Sequence, residues 1–94
     1  MILSSAQLHR HRNVVEGRAT FAVRGVFRVW VELLRDGNAM LWLSRSAHHM
    51  RLDGSELRAS IRLEGYPMDV RVWREPDVMR DGKATQDWRV EFDG

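Results

Sequence analysis

Arginine and tryptophan occur beside one another on the side of the predicted strands that faces away from the core. Arg28 and Trp30 share this side of residues 26–34, and Trp42 takes the equivalent side of residues 39–45. Aromatic rings stack on nucleobases and guanidinium groups bind phosphates, so this combination is typical of surfaces that bind single-stranded nucleic acid. We predict that these three residues belong to a binding surface.

A later predicted hairpin carries a second set of the same residue types. Arg58, Arg62, Arg71 and Trp73 share its outward face when its apolar residues point inward. Both sets also fit a protein partner, because Trp and Arg often dominate the buried centre of protein interfaces. A purely structural role stays open as well, since arginine–aromatic contacts between strands stabilise a sheet by themselves.

Histidine offers a weaker signal for chemistry. His9 and His11 point to the same side of a strand and could share a metal ion, but no third ligand stands at a typical spacing. His48 and His49 would point to opposite sides. The sequence contains no cysteine and no nucleophile elbow, phosphate loop or zinc-protease motif. We therefore predict no metal site, no cofactor and no catalytic centre.

Alternation of apolar and polar residues dominates the chain and predicts strands. It is weak over residues 8–15 and clear in six segments, namely residues 18–24, 26–34, 39–45, 57–64, 68–74 and 87–92. The polar stretch 74–86 reads as a loop, with at most one short helical turn at residues 76–80. We expect one all-β domain over residues 1–94, a small antiparallel barrel or sandwich of five or six strands.

The later hairpin takes its register from its apolar face. A two-residue type II′ turn at Gly65 and Tyr66 places glycine where the turn requires a positive φ. This turn sets Leu63 opposite Met68, and the apolar residues of both strands then share one face.

The earlier hairpin requires a longer loop to keep its apolar residues on one face. A three-residue loop over residues 36–38, with Asn38 in the left-handed conformation, sets Leu33 opposite Leu41. In this register Trp30 and Trp42 lie at diagonal positions on neighbouring strands.

Charge is distributed unevenly along the 94 residues. The net charge is +2, but residues 1–47 carry +4 and residues 48–94 carry −2. Fourteen of the fifteen cations are arginine, which binds phosphate or carboxylate through two parallel hydrogen bonds, although a GC-rich genome would produce the same bias. No apolar run is long enough to span a membrane, and the N-terminus lacks the pattern of a secretory signal. We expect a cytoplasmic protein with no membrane partner.

The C-terminal half reads LRASIRLEGYPMDVRVW, a charged loop and then GKATQDWRVEF. This order resembles small uncharacterised all-β accessory proteins of phages, plasmids and other mobile elements. Such proteins commonly have proline where Gln86 stands here. The resemblance implies an accessory protein of a mobile element and implies no catalytic residues.

These observations favour a non-enzymatic binding module. The first hypothesis is a binder of single-stranded DNA or RNA with little sequence preference, although a net charge of +2 is low for that class. The alternative is a module that binds a protein complex, for example a phage-encoded inhibitor of a host defence complex. A third hypothesis is a homo-oligomer that covers the aromatic residues between subunits. The candidate binding residues are Arg28, Trp30, Trp42, Arg58, Arg62, Arg71 and Trp73.

Overall fold

A computed structural model describes all of residues 1–94. It contains ten strands and no helix. Eight of the strands follow one another in chain order around one closed antiparallel barrel, in which the last strand pairs with the first. The all-β prediction is confirmed, but the expected five or six strands are too few. The strands are β1 (Ile2–His11), β2 (Val14–Phe21), β3 (Gly25–Leu33), β4 (Ala39–Leu43), β5 (Ser46–Asp53), β6 (Glu56–Leu63), β7 (Tyr66–Arg74), β8 (Met79–Arg80), β9 (Lys83–Ala84) and β10 (Asp87–Asp93).

The strands that the sequence did not reveal have few large apolar residues on their inner side. In β5 only Met50 is buried, so the strand shows no clear alternation. In β1 the buried positions are Ser4, Ala6 and Leu8, two of which are small. The predicted weak strand over residues 8–15 is in fact the end of β1, a turn and the start of β2.

The segment between β7 and β10 forms a small hairpin outside the barrel. Strands β8 and β9 pair only with each other, and they turn at Asp81 and Gly82, whose φ angles are 51° and 76°. Two successive positive φ angles define a type I′ turn, for which Asp-Gly is a preferred sequence. The helical turn allowed for residues 76–80 does not form: residues 76–78 have no regular secondary structure, and Met79 and Arg80 belong to β8.

Apolar side chains from all eight barrel strands fill the interior. The core consists of Ala6, Leu8, Val15, Ala19, Phe21, Val29, Val31, Ala39, Leu41, Leu43, Met50, Leu57, Ile61, Met68, Val70, Val72, Val90 and Phe92. The alternation assigned most of these inward positions correctly. Trp88 packs against the core but is only partly buried. The alternation in residues 18–24 predicts that Val23 shares the inward face of Ala19 and Phe21, but Val23 lies in the turn after β2 and is 95% exposed.

The β6–β7 hairpin differs from its predicted register by one turn position. The turn lies at Glu64 and Gly65, with φ angles of 51° and 83°, so it is type I′ instead of type II′. Leu63 therefore pairs with Tyr66, and Met68 lies opposite Ile61. Moving the turn by one residue shifts the pairing by two. The shift keeps every side chain on its predicted face.

The β3–β4 hairpin shows the same kind of shift. Its loop covers residues 35–37, and Gly37, with a φ of 88°, takes the left-handed position that was assigned to Asn38. Glycine accepts this conformation at less cost than asparagine. The shift sets Leu33 opposite Ala39, so that two residues expected on a diagonal, Trp30 and Trp42, pair directly.

Backbone pairing between β1 and β2 covers only three residue pairs, and so does the pairing between β5 and β6. We call these short pairings the first and the second seam; they divide the barrel into two halves of four strands. At the first seam, a Cβ on Gly17 would lie 2.5 Å from the carbonyl oxygen of Gln7. The absence of a side chain at Gly17 thus allows the backbones of β1 and β2 to approach closely.

Candidate functional site

The two predicted sets of arginine and tryptophan lie on opposite sides of the barrel. Trp30 is on β3 and Trp73 is on β7, and these strands are four apart in either direction around the eight-stranded barrel. The barrel strands follow one another in chain order around the barrel. Strands that are far apart in this order therefore lie on different sides of the barrel. The two sets therefore form two separate surfaces, each of which has its own chemistry.

On the first surface Trp30 and Trp42 form a stacked pair. Their ring centroids are 5.9 Å apart and the ring planes meet at 27°. Both side chains point out of the barrel but are half-buried, and both indole Nε1 atoms are buried without a hydrogen-bond partner. The guanidinium carbon of Arg28 lies 5.8 Å from the centroid of Trp30. The structure thus brings together the three residues predicted on this side.

Arg18 joins this surface from the neighbouring strand. It lies directly opposite Arg28 in the pairing of β2 with β3. Arg28 forms an ion pair with Glu16 at 2.9 Å, whereas Arg18 forms no ion pair. Two like charges at directly opposed positions are unfavourable, and an anion bound between them would relieve this repulsion. Sequence reasoning missed Arg18 because its proximity to Arg28 depends on the register of β2 against β3.

A groove of about 490 Å³ extends from this surface across the first seam. Five of its seven lining residues are basic and one is acidic; they are His9, Arg10, His11, Glu16, Gly17, Arg18 and Arg28. We call these seven residues the basic groove. At its edge the Nδ1 atom of His9 lies 2.9 Å from Oδ1 of Asp87, and the other carboxylate oxygen of Asp87, Oδ2, accepts a hydrogen bond from the side-chain amide of Gln7. Both predicted metal-ligand candidates, His9 and His11, therefore lie in this groove.

On the opposite surface Arg71 is held by two acidic side chains. Its guanidinium donates two hydrogen bonds to Glu56, of which the bond from Nε is 2.9 Å long, and a third of 3.2 Å to Glu91. The hydrogen bond from Arg71 lowers the pKa of Glu56 below its ordinary value, although partial burial opposes this shift. The same bond raises the pKa of Arg71. The guanidinium also lies 5.1 Å from the ring centroid of Trp73.

The other two predicted arginines on this surface are engaged as well. Arg58 forms ion pairs with Glu56 at 3.1 Å and with Asp53 at 3.6 Å. Arg62 donates a hydrogen bond of 3.0 Å to the carbonyl oxygen of Gly65. The geometry on β6 and β7 therefore fits the structural explanation that the sequence left open. Here arginine mainly balances carboxylates and stabilises the sheet.

No group of three or more histidine, aspartate or glutamate side chains is arranged to hold a metal ion. The structure also contains no helix that is long and apolar enough to span a membrane. No family model, curated protein or solved structure matches this chain.

Proposed function

We propose that this chain is a non-enzymatic module that binds single-stranded DNA or RNA on the outer face of β1 to β4. Phosphates of the strand contact the basic groove, and bases stack on the exposed parts of Trp30 and Trp42. The observation that carries this proposal is the position of Arg18. It lies opposite Arg28 without a carboxylate partner, beside a stacked pair of indole rings.

The size of this surface sets the strength of binding that we expect. Base–aromatic stacking contributes about 1–3 kcal/mol per base, and two half-buried indole rings accommodate only a few bases. Each phosphate contact on a single strand adds about −0.7 to the slope of log K against log salt. Contacts from Arg18 and Arg28 alone would then give a slope of about −1.4. We therefore expect weak binding that tolerates different sequences and depends moderately on salt.

The test is a titration of a fluorescently labelled oligothymidylate at several salt concentrations. We expect Arg18→Ala to weaken binding and to reduce the salt slope by about 0.7. Arg80→Ala is the matched control, because Arg80 is also exposed, forms no ion pair and lies on the β8–β9 hairpin. The two variants change the net charge equally, so a difference between them identifies the groove and excludes a general charge effect.

Two results would contradict the proposal. The first is the absence of oligonucleotide binding by the wild-type protein at low salt and a protein concentration of about 100 μM, which equals the weakest dissociation constants typical of non-specific binding. The other is an equal loss of affinity in Arg18→Ala and Arg80→Ala. Circular dichroism of both variants establishes that each remains folded.

A further inference from the structure

One end of the barrel exposes large apolar side chains. Val23 is 95% exposed, Val26 is 61% exposed and Tyr66 is 45% exposed. Val23 lies in the β2–β3 turn, Val26 lies near the start of β3, and Tyr66 begins β7 directly after the β6–β7 turn. These turns meet at the same end because the strands alternate in direction around the barrel. Exposed apolar side chains gathered in one place commonly mark an interaction surface.

The same end contains an apolar cavity of about 270 Å³. Six of its seven lining residues are hydrophobic; they are Leu3, Phe21, Ala22, Val23, Arg24, Tyr66 and Met68. Val23 is both a wall of this cavity and the most exposed apolar side chain described on the β2–β3 turn. An apolar projection and an apolar recess therefore lie side by side on one turn.

Arg24 is the one charged residue that lines the cavity. Arg24 forms an ion pair with Glu64 at 2.9 Å and donates a 2.7 Å hydrogen bond to the carbonyl oxygen of Leu63. Its guanidinium carbon lies 5.7 Å from the ring centroid of Tyr66. The patch thus presents opposite charges together with a projection and a recess.

We propose that this end of the barrel binds a second copy of the chain about a two-fold axis. A two-fold interface joins identical patches, so the patch must complement itself in shape and charge. Val23 of each copy inserts into the cavity of the other copy. Arg24 of each copy pairs with Glu64 of the other, exchanging the internal ion pair for two intermolecular ones. The basic groove lies on the side of the barrel and stays accessible in such a dimer.

The patch is small, which limits the affinity of the dimer. Interfaces below about 1,200 Å² belong mostly to weak or transient complexes. The measurement must therefore extend to high protein concentration. We expect sedimentation equilibrium from about 10 to about 500 μM to show a monomer–dimer equilibrium within that range.

The first experiment changes the projection. Val23→Asp should leave the wild-type circular dichroism spectrum intact, because the side chain is exposed in a turn, and should abolish the dimer. Val78→Asp is the matched control, since Val78 is 56% exposed near the β8–β9 hairpin at the other end. This control should dimerise like the wild type. A monomeric wild-type protein at about 500 μM, or a dimer that survives Val23→Asp, would overturn the proposal.

A charge exchange provides a second test, which can restore the dimer as well as abolish it. Arg24→Glu and Glu64→Arg should each weaken the dimer, because each places like charges opposite one another across the interface. An equimolar mixture should restore association, because both intermolecular pairs then join opposite charges. Failure of the mixture to associate, with both variants folded, would exclude the exchanged ion pairs. These results do not depend on nucleic-acid binding, which is tested separately through Arg18.

Discussion

Trp30 and Trp42 face each other directly across β3 and β4, and their rings stack with centroids 5.9 Å apart. The pair covers part of the outer surface of the sheet, so it stabilises the fold, and in the proposed function the same rings also stack on bases. Both roles act through the same side chains. Substitutions here must therefore be evaluated by stability and by binding together.

A double-mutant cycle measures the structural part of this pair. Trp30→Ala and Trp42→Ala should each lower the free energy of unfolding, with a coupling energy of about 0.5–1.5 kcal/mol between them. Urea denaturation of the wild type, both single variants and the double variant provides the values. Strictly additive losses would show that the ring contact contributes no stability of its own.

The binding part is tested by comparing tryptophans on opposite sides of the barrel. Trp42→Ala should make the free energy of oligonucleotide binding less favourable by up to the contribution of one stacked base, which is about 1–3 kcal/mol. Trp73→Ala is the control, because Trp73 lies on β7 beside the ion-paired Arg71. It should leave the affinity unchanged in a titration at low salt. Equal losses in both variants would rule out a site confined to β1–β4.

Acid should weaken the ion-pair network of β6 and β7 through Glu56. Its pKa in the folded state is lowered, so its contribution is present above the ordinary glutamate pKa of about 4.3. The contribution is lost as the pH falls from this value through the lowered pKa. Glu56→Gln should therefore be less stable than the wild type at pH 7, and the difference should shrink as the pH falls. A difference that stays constant from neutral to acidic pH would contradict this expectation.

The close approach of β1 and β2 should make Gly17 intolerant of a side chain. A methyl group there would lie 2.5 Å from the backbone oxygen of Gln7 and 2.9 Å from a methyl carbon of Leu8. Gly17→Ala should lower the free energy of unfolding by about 1–3 kcal/mol, the usual cost of overpacking. Thr20→Ala, at an exposed position on the same strand, is the control and should cost much less. Thermal melts of both variants measure the two losses of stability.

The assignment of the inner and outer faces of β6 is tested by two adjacent residues. Ile61 is buried in the core, so Ile61→Ala should cost about 2–5 kcal/mol through the cavity that it leaves. Arg62 is exposed and bonds only to a turn carbonyl, so Arg62→Ala should cost less than about 1 kcal/mol. Equal losses in urea melts would mean that the faces are reversed.

The sequence predicted the faces of the strands more reliably than their pairing. Alternation alone placed Val29, Val31 and Ile61 in the core, because a strand must bury one side. In both hairpins the predicted register was displaced by two residues. The hydrophobic pattern repeats every two residues, so it cannot distinguish registers that differ by two. Here the turn decides, through Gly37 and the Glu64–Gly65 pair.

The sequence by itself determined that the chain is a β-structure with arginine and tryptophan on its outer faces and an excess of positive charge in its first half. Only the tertiary structure decided which of those arginines are free. Closure of the barrel set β3 and β7 on opposite sides, and it placed Glu56 against Arg71 but left Arg18 without an acid. The reason is physical: alternation fixes the face of a side chain within one strand, whereas its charge partners lie on neighbouring strands.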